Sequence, residues 1–384
     1  SKIKNSREKE DESTSNIESS SSLPKKIKPK KSKNIMIEEY LNSHYQFRYN
    51  VLKSRAESYN HKTKEYTPVD KYVLNSIRRE LDAFGIYTNI DNINSIITSD
   101  FAKKVNPIQE YFLSLPNVNT NSISYITQLA NTVRTRNMDI WHRYFTKWLV
   151  AVIANAITNE GCQNHTCLVL TGEQGIYKTT WLDYLCPKSL SRYLYTGKID
   201  PQNKDTLTYI SEYLFVNIDD QLRELNKKDE NSLKALITAP FVKYRRPYGT
   251  YIEEYPHIAS FMASINGVEF LTDPTGSRRF LPFIVENIDC DLQKQINMDL
   301  VYSEAKSLFH NGFKYWFDTE EIKELYEYSS EFQIQTNEYE VILKHFETPI
   351  DNKEITYMTA SEIITYINTV SNIKASSKRV GEAL

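Results

Sequence analysis

Long apolar runs are missing from this sequence of 384 residues. No stretch of 18 or more apolar residues occurs and no signal-peptide pattern opens the chain. Both absences argue against a membrane-spanning helix or a secretory leader, and the expectation is a cytoplasmic protein with no membrane partner. Cysteine is scarce too. Four irregularly spaced cysteines are too few for a disulfide framework, which points to a reducing compartment. Charge of one sign is also lacking. A net charge of -2 excludes a bulk polycation, so any nucleic-acid contact must come from local patches. The length leaves room for two or three domains, one with a substantial core. The first residue is Ser1 rather than Met, as expected of a processed or tagged chain or a piece of a longer one.

Composition divides the chain. Residues 1–34 hold serine runs and a basic block, "PKKIKPKKSK", with almost nothing apolar to bury, and read as a disordered tail. The block is a solvated linker or a loose electrostatic contact with an acidic partner. Residues 35–115 read as a helical domain. Val73, Leu74, Ile77, Leu81 and Phe84 recur at helical spacing, and Pro68 falls near a helix start. Residues 116–160 read as a helical connection packed on the core. There Trp141, Phe145, Trp148, Leu149, Val152, Ile153 and Ala156 share one stripe. From 161 to 320 short strands alternate with helices, which implies an α/β core with a mainly parallel sheet. Residues 321–384 return to helices, with a capping-box pattern at Thr359 and Glu362. The chain stops at "SSKRVGEAL" in what reads as the first turns of another helix.

The stretch "CLVLTGEQGIYKTTWLDYL" raises the question of chemistry. An apolar strand runs into Gly172, Glu173, Gln174, Gly175, Ile176 and Tyr177, and then Lys178, Thr179 and Thr180 open a helix. Phosphate cradling needs this arrangement: glycines let backbone N–H groups curl around the anion, a lysine reaches the terminal phosphates, and a hydroxyl binds Mg²⁺. The irregularity is Tyr177, where the pattern has glycine. "LFVNIDDQ" then places Asp219 and Asp220 at the end of a second apolar strand. One carboxylate can hold Mg²⁺ and the other can polarise water, or the pair is simply a polar turn. "FMASIN" ends a third strand on Asn266, either a water-orienting side chain or a turn residue before Gly267. "DPTGSRRF" carries Arg278 and Arg279, a solvated pair or an arginine finger for a neighbouring subunit's nucleotide. "FVKYRRPYGTY" reads as a hairpin on which Lys243, Arg245 and Arg246 alternate with Tyr244 and Tyr248. Charge can follow a single-stranded backbone while rings stack on bases. The competing reading is an exposed ribbon in a chain with 27 tyrosines. Cys162, His165 and Cys167 are wrongly spaced for a zinc site, and Cys167 reads as the start of a buried strand.

Taken in order, "GEQGIYKTT", "LFVNIDDQ", "KALITAPFVKYRRPYG" and "FMASINGVEFLTDPTGSRRF" resemble the virulence-associated protein E family. These P-loop ATPases are similar to the superfamily 3 helicases of phages, plasmids and mobile elements. The resemblance covers about residues 100–320. It implies an AAA+-like core, ATP and Mg²⁺ as cofactors, a ring that is hexameric in the family, and ATP-driven movement along single-stranded DNA. By it, Lys178 and Thr179 serve the phosphates and metal. Asp219 and Asp220 become the acidic pair, Asn266 the sensor, and Arg278 or Arg279 the finger. The 243–251 hairpin becomes the DNA-contacting element, and the C-terminal segment the start of a winged-helix domain. A primase, where one is used, is expected upstream or on another protein. The alternative is a nucleotide-switched DNA-binding or assembly protein with little turnover, which Tyr177 and the Asp-Asp pair favour.

Overall fold

Asparagine, serine and aspartate set the helix starts of this chain. Ser32, Asp70 and Asn89 accept hydrogen bonds from the backbone amides of Ile35, Val73 and Asn92. Each thereby satisfies a donor that the first helical turn leaves open. The helices they open are Lys33–His44, Lys71–Ala83 and Ile90–Ile97. In the computed structural model, which describes residues 31–118, 124–158, 160–246, 249–272, 278–334, 337–347, 355–371 and 373–383, these helices form one of two compact units. Their apolar seam is Ile37, Leu41, Ile77, Leu81, Ile93 and Ile97, all fully buried. Tyr40 and Tyr45 both donate to the Glu80 carboxylate, at 3.2 and 2.5 Å.

The second unit takes residues 47–69 and everything from Ala102 on. Here the expectation of a mainly helical segment over 35–115 holds for its helices but not for residues 47–68. Residues 47–68 form three strands, β1 (Phe47–Asn50), β2 (Arg55–Asn60) and β3 (Glu65–Pro68), which join β4 (Lys103–Val105) in the order β3-β2-β1-β4. The reason is local turn chemistry. Asn50 Oδ1 accepts from the amides of Leu52 and Lys53, and Asn60 Oδ1 from those of Lys62 and Thr63. Each turn closes with a residue in the left-handed region, Ser54 at φ +45° and Lys64 at φ +58°. Such asparagine turns break a helix and join strands. Pro68 consequently ends a strand, and the next helix starts after Asp70.

The core sheet holds β5 (Val133–Thr135), β6 (Cys167–Gly172), β7 (Leu194–Gly197), β8 (Phe215–Asp219), β11 (Ser260–Asn266) and β12 (Phe280–Ile288). Between β8 and β11 the chain makes a separate antiparallel ribbon, β9 (Phe241–Tyr244) and β10 (Glu253–Pro256). The core order is β5-β12-β6-β11-β8-β7, and only the β5–β12 pair is antiparallel. Both faces of the central strands are covered, so β6, β8, β11 and most of β12 are buried continuously rather than alternating. Leu168 and Leu170 enter a cluster with Trp141, Trp148 and Trp181. Cys167 and Val169, one step out of phase, enter the opposite cluster with Ile218 and Phe261. Cys167 does begin the buried strand, as its flanking residues suggested.

Helix Met138–Ile157 supplies the Trp141 stripe, with the Trp141 and Phe145 rings stacked at 4.7 Å. The connection ahead of it also contributes β5, an edge strand that its sequence did not announce. At the other end the core runs past residue 320. Leu325 and Phe332 are buried in the two core clusters. Beyond them, helices Asn337–His345, Ala360–Val370 and Ser377–Ala383 share a small cluster of Ile342, Ile363, Ile367 and Val380. The capping box at Thr359 and Glu362 forms as expected.

Candidate nucleotide site

Strand register assembles the site. Asn266, the last residue of β11, lies opposite Gly172, the last of β6, and Ser264 lies opposite Asp219, the last of β8. Three chain segments therefore deliver their polar ends to one edge of the sheet, the edge where ligands bind in parallel α/β folds. Gly172 is fixed by space. It sits at φ +138°, and a Cβ there would lie 2.7 Å from the Val285 carbonyl oxygen. Its amide and carbonyl exchange hydrogen bonds with Gly267 at 3.1 and 3.0 Å. Gly175, at φ +88°, turns the loop. Tyr177 then adopts φ +65°, ψ +23°, a left-handed conformation that favours glycine. Its ring is exposed at 63% and meets no steric block. The tyrosine thus costs backbone energy rather than space.

Lys178 is 5% exposed and opens helix Lys178–Tyr184. Its ammonium donates to the carbonyls of Gly172 (3.1 Å) and Glu173 and to Asn266 Oδ1 (3.3 Å). Burial pushes its pKa down, against the upward pull of Asp220 and Asp219. The two aspartates divide. Asp219 Oδ1 accepts from Thr179 Oγ1 at 2.9 Å and from Ser264 Oγ at 2.8 Å. Asp220 takes φ +45° and turns to Asn266, accepting from its backbone amide (3.1 Å) and its Nδ2 (3.0 Å). These groups, with Gln174, Gly175, Tyr177 and Thr180, line a cleft of about 440 Å³. Glu173, Gln174 and Thr180 are exposed, whereas Ile176 packs against the core. The donor set suits Mg²⁺. It brings two hydroxyls, of Thr179 and Ser264, onto the Asp219 carboxylate, and that ion takes few protein ligands beside phosphate and water.

Ser264 and Arg223 escaped sequence reasoning. Ser264 precedes Asn266 by two residues on a strand, so both face the same way. That period-2 relation was the available signal. Arg223 Nη1 donates to the Asn266 carbonyl at 2.9 Å. Its position three residues past Asp220 carried no signal of its own.

Arg278 and Arg279 are not brought to this cleft. Phe280, the residue after them, is paired with Cys167 at the start of β6, five residues before Gly172. At about 3.3 Å per residue they stand roughly 17 Å away, at the opposite edge of the sheet. Arg278 is exposed and Arg279 half-buried, beside a cavity of about 270 Å³ lined also by Tyr315, Trp316 and Phe317.

The hairpin forms, with Tyr244 opposite Glu253. Lys243 is exposed and 3.1 Å from Glu254, and Arg245 is exposed. Tyr244, expected as a stacking ring, is instead 5% exposed and bonded to Ser211 Oγ at 2.8 Å. The ribbon lays that face on helix Lys204–Glu212. Arg246 Nη2 donates to the Leu52 carbonyl at 3.0 Å. Tyr248 lies outside the described residues.

Fold and cleft together define a parallel α/β protein with a strand–glycine loop–helix turn facing an acidic strand end. The chain belongs to the virulence-associated protein E-like domain family, whose model matches residues 115–334. Solved structures of the NrS-1 C-terminal region are similar to it. The apo structure of residues 305–718 shares 13% identity at a TM-score of 0.49, covering 82% of this chain and 78% of that one. An A-form apo structure of the same region shares 12% identity at a TM-score of 0.48, covering 83% and 84%. None of the curated proteins compared matches the chain. Among the described residues, no helix is long and apolar enough to cross a membrane.

Proposed function

We propose that this protein is an ATP-dependent nucleic-acid motor with an AAA+-like core, a helicase of a phage or mobile element that works as an oligomeric ring. The carrying observation is the convergence of Lys178, Thr179, Asp219, Asp220 and Asn266 on one sheet edge. Lys178 is the group for the β- and γ-phosphates, exchanging loop carbonyls for phosphate oxygens. Thr179 and Asp219 hold Mg²⁺, which when bound neutralises phosphate charge. Asp220, aimed by Asn266, accepts hydrogen bonds only, which suits it to orient an attacking water.

Arg278 and Arg279 serve a neighbouring subunit. Their place at the far edge of the sheet prevents them from reaching their own cleft, and a ring sets that edge against the next subunit's nucleotide. Hexamer formation and a primase partner belong to the same reading. Lys243 and Arg245 on the ribbon contact single-stranded DNA. A small-molecule kinase has no use for such a ribbon.

A second reading is a nucleotide-switched assembly protein with little turnover. The left-handed Tyr177 favours it, because a strained loop is one that ligand contacts must hold in place. ATP turnover with and without single-stranded DNA separates the two. DNA-stimulated hydrolysis abolished by Lys178→Ala supports the motor. Tight ATP binding without turnover under either condition refutes it and supports the switch.

A further inference from the structure

Two arginines and an aromatic strap frame the cavity of about 270 Å³ that lies across the sheet from the nucleotide cleft. Among the described residues, no aspartate or glutamate stands on its wall beside Arg278 and Arg279. Three acids that follow the strap are committed elsewhere. Asp318 pairs with Lys314 at 2.6 Å, Glu321 with Lys147 at 2.9 Å and Glu324 with Arg143 at 2.5 Å. Burial and the charge of Arg278 push the Arg279 guanidinium down, and no acid pulls it up.

The strap is Tyr315, Trp316 and Phe317. Buried Lys147 holds its backbone, donating to the carbonyls of Lys314 and Trp316 at 3.0 Å each. The Tyr315 hydroxyl donates to Gln163 Oε1 at 2.9 Å. Trp316 nevertheless stays 57% exposed, whereas Trp141, Trp148 and Trp181 are fully buried. A fixed, solvent-facing indole beside a tyrosine and two unopposed arginines has the composition of an interface hot spot.

The rim of the nucleotide cleft carries the complement. Tyr177 keeps an exposed ring on a left-handed backbone, and strain of that kind persists where function repays it. Glu173, on the same loop, is exposed. Lys178 takes its backbone carbonyl rather than its carboxylate. On the ring reading, Arg278 reaches the phosphates that the next subunit's Lys178 holds. Tyr177 adjoins Lys178 and Arg279 adjoins Arg278, so that one contact sets cleft rim and cavity face to face.

We propose that the cavity is a socket for a second copy of this chain: the partner subunit's Tyr177 enters against Trp316 and Tyr315, and the partner subunit's Glu173 pairs with Arg279. The assignment rests on the ring reading above and divides the arginines, leaving Arg278 for the nucleotide. Aromatic contact and a shielded arginine–carboxylate pair then hold the subunits together.

Sedimentation velocity and tryptophan emission, followed on the full chain over a concentration series with Mg²⁺ and a non-hydrolysable ATP analogue, test this. Trp316 reports on its own socket because the other tryptophans are buried. Emission should move to shorter wavelength as the wild type assembles. Tyr177→Ala and Trp316→Ala should each raise the concentration for half-assembly about tenfold. The double variant should lose little more than either alone, because the rings meet each other. Glu173→Arg and Arg279→Glu should each weaken assembly, and together they should restore most of it. Trp316 lies across the sheet from its own cleft, so its loss does not act through nucleotide binding. Assembly with unshifted emission, or assembly that Trp316→Ala leaves unchanged, would overturn the assignment. So would losses that simply add within both pairs, since the paired groups would then not meet. A wild type that stays monomeric at every concentration would instead overturn the ring reading itself.

Discussion

Replacing Tyr177 by glycine should stabilise the protein, against the usual effect of deleting an aromatic ring. Tyr177 sits at φ +65°, where a residue with a Cβ is strained by about 1–2 kcal/mol. Glycine removes that strain but gains freedom in the unfolded chain, a counter-term of about 0.4–1 kcal/mol. The ring is 63% exposed, so little burial is lost with it. The net expectation for Tyr177→Gly is about 0.5–1 kcal/mol of added stability. Tyr177→Ala is the control, because it deletes the same ring and keeps the strain. Urea unfolding of both variants and the wild type measures the differences, with equal m-values showing that the unfolded states are comparable. Glycine should lie above alanine by about 0.5–1 kcal/mol. Equal stability of the two variants, or a less stable glycine variant, would refute the claim that strain at this position is what the tyrosine costs.

The two aspartates should separate in function. Asp219→Asn should raise the Mg²⁺ concentration needed for half-maximal turnover, while Asp220→Asn should lower kcat by ~100-fold or more with nucleotide affinity kept, and titrating Mg²⁺ at saturating ATP reads both. His257 is fully buried with its ring nitrogens 2.8 and 2.9 Å from the Ala239 and Ala259 carbonyl oxygens. Burial outweighs those contacts and lowers its pKa from 6.5 to about 4. The unfolded state therefore binds the proton first. Stability should be level above pH ~6.5 and fall by about 3 kcal/mol toward pH ~4, and His257→Gln should flatten that slope in urea unfolding across the range. If Arg278 acts on a neighbour, mixing Lys178→Ala subunits with Arg278→Ala subunits should restore part of the hydrolysis that each lacks alone. No rescue at any mixing ratio would contradict the trans assignment.

Much of the nucleotide cleft is legible in the sequence because its signals are local. A strand end, a glycine loop and a Lys-Thr pair lie within a dozen residues, and Asp219–Asp220 and Asn266 each end an apolar run. The convergence of those ends depends on β11 lying between β6 and β8, which no local pattern states. Tyr244 shows the opposite limit. Alternation says that it faces away from Lys243, and only the helix packed beneath the ribbon makes that face the buried one. The strands of 47–68 were legible in principle, since Asn50 and Asn60 carry turn chemistry. Apolar spacing on either side obscured it. The Arg246 hydrogen bond to the Leu52 carbonyl joins residues almost 200 positions apart and is accessible only through the fold.

Calorimetric titration of ATP with Mg²⁺ into wild type and Lys178→Ala shows whether the cleft at Lys178 is a phosphate site. The wild type should bind. The variant should lose about 10- to 100-fold in affinity, as expected for charge-assisted bonds worth about 1.5–3 kcal/mol, while keeping a cooperative thermal transition. No binding by the wild type, or equal affinity in the two proteins, would mean that the cleft does not hold phosphate.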